Sequence, residues 1–201
     1  MTDQDSQAAS PNEPTAGGLF SRLRSRLQPH PDSSDPMKLG KWAGVLIGIY
    51  LVFTTIVGIY WSRTPDYFDV RDNAARYATA AEQAVVTGTT TVAALQEAIR
   101  TLLEKPGGYL HNDVFPPGMW LDNMPSWEYG VLVQSRDLAR ALREVLSRSQ
   151  SQSKEDVDLT LAEPRINFQS KSWILPASES EYRDALKFLE AYRARLAVTG
   201  E

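Results

Sequence analysis

Four side chains in one stretch of this sequence belong to types used at acid–base and metal sites: His111, Asp113, Asp122 and Glu128. A histidine beside carboxylates can shuttle a proton or ligate a cation. Paired carboxylates such as Asp113, Asp122 and Glu128 are also the groups that hydrolyse glycans. The spacing selects none of these uses. One histidine without an H-x-x-x-H repeat is a weak metal signature, and Asp in a turn or Glu near a helix start serves structure equally well. Other chemistries are excluded. The chain has no cysteine, so thiol nucleophiles and disulfides are impossible. A Ser-His-Asp arrangement needs a histidine, and His111 is the single one beyond residue 61. Gly107-Gly108 lacks the Gly-Lys-Ser/Thr of a phosphate loop and reads as a helix stop. No catalytic, cofactor-binding or metal-ligating residue is assigned, no cofactor is expected, and the balance leans away from an enzyme.

The same stretch offers more as a surface. Prolines and a glycine between Tyr109 and Ser126 exclude a regular helix. Leu110, Val114, Phe115, Met119, Trp120, Leu121 and Met124 are nevertheless too apolar for a solvated loop. Tyr109, Trp120, Trp127 and Tyr129 are ring types favoured at binding hot spots. Three uses are open: packing inside the domain, docking of a partner protein, and contact with the outer bilayer face or cell-wall glycan. The candidate interaction loop is Tyr109, His111, Phe115, Trp120, Met124 and Trp127.

The element that positions this loop lies upstream. Trp42 to Trp61 contains no charge and no proline. As a helix, about 20 such residues span about 30 Å, the thickness of a bilayer's hydrocarbon core. Hydrocarbon offers no partners to peptide groups, so a spanning segment must be helical. Trp42, Tyr60 and Trp61 fit interfacial aromatic belts. A soluble core helix would show a polar stripe, and a signal peptide a shorter apolar run with a small-x-small cleavage site. Neither is present. Arg22, Arg24, Arg26, Lys38 and Lys41 precede the span, against Arg63, Arg71 and Arg76 after it. That asymmetry predicts a cytoplasmic N-terminus and an exported C-terminal domain. Gly40, Gly44 and Gly48 recur every four residues, a candidate face for association in lipid.

The organisation follows: residues 1–41 a cytoplasmic tail, 42–61 the span, 62–201 an exported domain. Met1 to Gly18 is too polar to fold. Leu19 to Gln28 sets Leu19, Leu23 and Leu27 against Arg22, Arg24 and Arg26, either an amphipathic helix for an anionic leaflet or a solvated basic run. The net charge is −4, and the tail's basic and acidic residues balance, so the imbalance falls on the exported part. That argues against nucleic acid as a partner.

Helical periodicity predicts segments at Tyr67–Val86 with Asp66 as cap, Val92–Glu104 with Thr91 as cap, Trp127–Ser149 with Ser126 as cap, and Glu179–Val198 behind a Ser178-x-x-Glu181 capping box. Lys105-Pro106-Gly107-Gly108 stops the second. Ser147 to Lys154 is a polar linker, Asp156 to Ala162 a short helical turn, and Pro164 to Pro176 extended, with a strand-like piece. The expected fold is all-α: one transmembrane helix, then a periplasmic bundle of about four helices with a long proline- and aromatic-rich connection.

Lys-Pro-Gly-Gly-Tyr-Leu at 105–110, Pro-Pro-Gly-Met-Trp-Leu-Asp-Asn-Met-Pro at 116–125, Ser-Arg-Ser-Gln-Ser-Gln-Ser at 147–153 and Trp-Ile-Leu-Pro-Ala-Ser-Glu-Ser-Glu-Tyr-Arg at 173–183 resemble an uncharacterised proteobacterial family, DUF2333. The resemblance covers residues 37–197. It implies a single N-terminal membrane span, a Gram-negative source and an inner-membrane location, with no activity attached. Members of the family continue into a further helical region beyond the point where this chain stops. The expected role is a non-enzymatic interaction or scaffold subunit whose partners are the lipid bilayer and a protein, either another chain or a second copy. The alternative is a periplasmic glycan-binding or hydrolytic module using the 109–129 loop.

Overall fold

A computed structural model describes residues 36–146 and 155–199. The tail reading for residues 1–35 and the linker at 147–154 lie outside them. Every regular element among the described residues is helical. They are α1 (Pro36–Trp61), α2 (Val70–Ala80), α3 (Thr89–Glu104), α4 (Asn123–Ala141), α5 (Val157–Ile166) and α6 (Ser178–Thr199). A 3-10 turn covers Gly118–Trp120, and α4 runs on into a π turn, Leu142–Leu146.

The chain divides after Gly48. Before it, the opening turns of α1 place Gly40, Gly44 and Gly48 with nothing within 4 Å of where a Cβ would stand. From Ile49 on, the last turns of α1 belong with all that follows. The stretch Lys38–Trp61 is long and apolar enough to cross a membrane.

In the second part α3, α4, α5 and α6 form a closed ring in which each helix packs on the next and α6 returns to α3. Leu95, Ile99 and Leu102 from α3, Leu132 from α4, Leu159 and Ile166 from α5, and Tyr182 and Leu189 from α6 meet in one core. Each such side chain contributes about 1.5–3 kcal/mol on leaving water. Helix α2 lies outside the ring against α3. Asn73 Nδ2 donates to Ala93 O at 3.0 Å. Arg193, 3% exposed, sits 5.2 Å over the Tyr77 ring and donates to the Gln96 and Gln83 side-chain oxygens.

The bundle of about four helices is thus present, but its members differ from the sequence reading. The stretch 156–162 is a full helix reaching Ile166, with Pro164 in its last turn. Asp156 caps it through the amides of Asp158 and Leu159. Arg136 holds the far end, donating to Ile166 O at 2.9 Å and Phe168 O at 2.6 Å. Residues 167–177 form turns, with no strand.

The boundaries move for identifiable reasons. Helix α2 begins behind Asp69, not Asp66, because Asp69 Oδ1 accepts from the Arg71 and Asp72 amides. It stops at Ala80 because Glu82 adopts φ +53°, and the Gln83 amide then returns to Ala78 O at 2.9 Å. Helix α3 starts at Thr89, whose hydroxyl closes a turn on Val86, so Thr91 does not cap. Helix α4 starts before Ser126, since Pro125 in a first turn forfeits no intrahelical bond. The capping box at Ser178 does not form as read. Its hydroxyl donates instead to Gln169 O at 2.6 Å and Ser172 O at 3.0 Å, tying down the connection before α6.

Candidate functional site

Glu128 is built into a clasp. After α3, Gly107 and Gly108 take φ of +86° and +69°, which reverses the chain. The Gly108 amide returns to Lys105 O at 2.8 Å. Lys105 Nζ then donates to Gly108 O and to Glu128 Oε1, the two side chains being 1% and 0% exposed. The carboxylate also accepts from the Leu110 amide at 2.9 Å and the His111 amide at 2.7 Å. Burial pushes the Glu128 carboxyl above its ordinary range, while the Lys105 ammonium and the two amides pull it back. All of this carboxylate's bonds go to the protein itself, and it faces no open cleft.

His111 is likewise committed. Its Nδ1 lies 3.1 Å from Pro125 O, so Nδ1 carries the hydrogen, because a carbonyl can only accept. The ring stacks on Tyr129 with centroids 5.2 Å apart and lies 6.2 Å from Tyr109. Nε2 is buried without a partner. Burial lowers the pKa of this imidazole and keeps it neutral.

The carboxylates point elsewhere. Asp113 packs on Gly118 so closely that a Cβ there would clash with its carboxylate. With Glu179, Phe115, Trp173 and Trp61 it borders a cleft of about 310 Å³. Burial raises its carboxyl, and the Glu179 charge adds to the effect. Asn112 spans to this side, donating to Ser172 O at 2.9 Å and Glu179 Oε2 at 2.8 Å. Asp122 stands exposed at the head of α4. His111, Asp113, Asp122 and Glu128 therefore do not converge. Among the described residues no three His, Asp or Glu side chains are grouped to hold a metal ion.

The six residues of the candidate loop separate by role. Tyr109 and Met124 are buried. Tyr109 meets Tyr182 edge to face at 5.5 Å and donates to Ser170 O at 3.0 Å. His111 is held as above. Phe115 and Trp120 are 68% and 54% exposed, and Phe115 meets the Trp173 ring at 6.0 Å.

Trp127, half-buried, leads to a feature the periodicity does not announce. An apolar groove of about 460 Å³ runs between α3 and α4, lined by Ala94 and Ala98 on one helix and by Trp127, Gly130, Val131 and Leu138 on the other. Nothing lies within 4 Å of where a Gly130 Cβ would stand. Trp127, Val131 and Ala98 also line an adjoining cleft of about 350 Å³ with Pro65, Tyr67 and Phe68. The signal was available: small residues four apart on α3 face a glycine on α4, and two helices packed across such positions leave a trough.

These features define a class: an all-helical domain following a helix long and apolar enough to cross a membrane, with an apolar groove between two of its helices. Residues 36–201 match the family described as uncharacterized protein conserved in bacteria (DUF2333), and the chain belongs to that family. No curated protein and no solved structure matches it.

Proposed function

We propose that this protein is anchored in the bacterial inner membrane by a single span and acts as a non-enzymatic interaction subunit. Its N-terminus is cytoplasmic, and its helical domain works in the periplasm. The anchor reading is supported by the length and apolar character of Lys38–Trp61. The topology is supported by the excess of Arg and Lys before the span. The observation that favours an interaction role is the α3–α4 groove, whose exposed lining is almost wholly apolar. A groove of this kind suits an apolar or amphipathic helix of a partner protein. Glu128 is occupied by Lys105, and His111 Nδ1 by Pro125 O, which favours a structural use of these two side chains.

A photo-crosslinking residue at Gln134, on the groove, tests the reading in cells producing the full chain. The expected result is one discrete adduct that disappears when Gly130→Trp fills the trough, with none at Glu190 on the exposed face of α6. An adduct of twice the chain's mass would identify the partner as a second copy. No adduct at Gln134, or the same pattern at Glu190, would refute the role.

A further inference from the structure

Gly58 lies one turn before the end of α1, and the proline-rich connection rests on it. A Cβ at Gly58 would stand 3.6 Å from Pro117 Cβ and 3.8 Å from Leu121 Cδ2. At about 1.5 Å rise per residue, these two residues sit beside α1 about 4–5 Å back from Trp61. The burial continues one turn further, to Thr54, which is 2% exposed. Trp61 itself packs on Gly107, whose Cβ would meet the indole at 2.8 Å.

Between and beside these contacts the chain turns large apolar groups outward. Phe115, Met119 and Trp120 are more than half exposed. The T-shaped pair of Phe115 and Trp173 joins this segment to a second one, where Ile174 and Leu175 are 64% and 95% exposed. No charged residue occurs between Asp113 and Asp122, or between Lys171 and Glu179.

Part of the first segment's backbone is satisfied within the segment, as a surface poor in water favours. Pro116 and Pro117 have no N–H. The amides of Met119, Trp120 and Leu121 donate to Phe115 O, Pro117 O and Gly118 O at 3.0–3.1 Å. In the second segment Pro176 has no N–H, and the Ser172 hydroxyl donates to Ile174 O and Pro176 O. A protein partner would offer donors and acceptors of its own, whereas acyl chains offer none, so internal satisfaction is the condition for lying on lipid. With residues 42–61 filling the hydrocarbon core, a contact one turn back from Trp61 puts Pro117 and Leu121 at the outer edge of that core, against the headgroup layer of roughly 5–8 Å in which Trp is favoured.

We propose that segments 114–121 and 173–176 lie in the headgroup region of the leaflet at the C-terminal end of the span, seating the domain on the bilayer. This rests on the membrane-spanning reading of α1. The chain has no cysteine, so a single introduced one can be labelled uniquely. Met119→Cys, Leu175→Cys, Val198→Cys and Leu46→Cys would each be made in the full chain, carry an environment-sensitive fluorophore and be reconstituted in phosphatidylglycerol–phosphatidylethanolamine vesicles containing spin-labelled lipid. All four positions are exposed, and circular dichroism confirms that each variant folds. The expected result is blue-shifted emission and lipid quenching at 119 and 175, comparable with position 46 and several-fold above position 198. Labels at 119 and 175 that match 198 while position 46 is quenched would overturn the seating alone. Labels at 119 and 175 shielded from both lipid and aqueous quenchers would overturn it in favour of a protein cover. No quenching at 46 would remove the span, and the seating with it.

Discussion

The Lys105 ammonium meets the Glu128 carboxylate where neither side chain is more than 1% exposed, and the same carboxylate receives the Leu110 and His111 amides. One residue from the end of α3 and one from α4 thus fix the start of the 109–129 connection. Removing one member of a buried pair leaves the other charge uncompensated, at about 3–5 kcal/mol. Glu128→Gln is expected to lower stability by that order in denaturant titrations of the detergent-solubilised chain. Lys105→Met combined with Glu128→Leu should not restore stability, because the Leu110 and His111 amides then lose their acceptor at about 1–3 kcal/mol each. A single-variant cost below about 1 kcal/mol would contradict the clasp.

Two adjacent glycines separate backbone strain from steric contact. Gly107 and Gly108 both have positive φ, but only a Cβ on Gly107 runs into Trp61, while one on Gly108 meets Leu103 O at an ordinary 3.6 Å. Gly108→Ala should cost about 1–2 kcal/mol, the left-handed penalty. Gly107→Ala should cost more and shift the Trp61 indole N–H resonance in amide-correlation spectra. Equal costs with an unmoved Trp61 signal would show that the indole does not rest on Gly107.

Glu82 closes α2 in a conformation that suits glycine, at φ +53°. Relieving the Cβ clash should outweigh the added freedom of the unfolded chain. Glu82→Gly is expected to raise stability by about 1 kcal/mol, read as a higher melting temperature. A lower one would mean that another contact holds the turn.

What the sequence made legible was what repeats. The α3 and α6 stripes, the stop at Lys105–Gly108 and the irregular backbone of the 109–122 connection follow from periodicity and from proline chemistry, whereas Val114, Phe115, Met119 and Trp120, expected to pack, are exposed. Unique pairings were not legible. Nothing local marks Glu128 as the partner of Lys105, since the two meet only when the connection folds back. Ser178 has a capping-box signature, yet its hydroxyl finds Gln169 O and Ser172 O first. The segment 157–166 was underrated because Pro164 reads as a stop, while in a last turn it removes a single bond. The groove was missed because apolar-face reasoning counts what fills space, and Ala94, Ala98 and Gly130 matter for what they leave open.

His111 gives the fold a pH dependence of definite sign. Burial holds its folded pKa below the ordinary value. The unfolded chain therefore binds the proton more readily, and stability falls as pH drops from the unfolded pKa, about 6.5, toward the lowered folded one. Above that window the imidazole is neutral in both states and contributes no slope. Melting temperatures from neutral to mildly acidic pH should decline, and His111→Gln should flatten the decline. Asp113 and Glu128, whose carboxyls burial raises, act with the opposite sign, gaining stability as they take up a proton, so the His111→Gln comparison isolates the imidazole's share. An unchanged slope in the variant would assign the dependence to another group.

Gly130 separates the needs of folding from those of the groove. It stands inside α4 with open space where a Cβ would go, so Gly130→Ala should gain about 0.5–1 kcal/mol through helix propensity. The added methyl stands at the same time in the trough between Ala94, Ala98 and Trp127. A chain that melts higher yet loses part of its Gln134 cross-linking would show that the glycine serves the groove at the expense of the helix. A chain that melts higher with cross-linking intact would show that the occupant does not reach Gly130, and would move the contact toward Trp127 and the adjoining cleft.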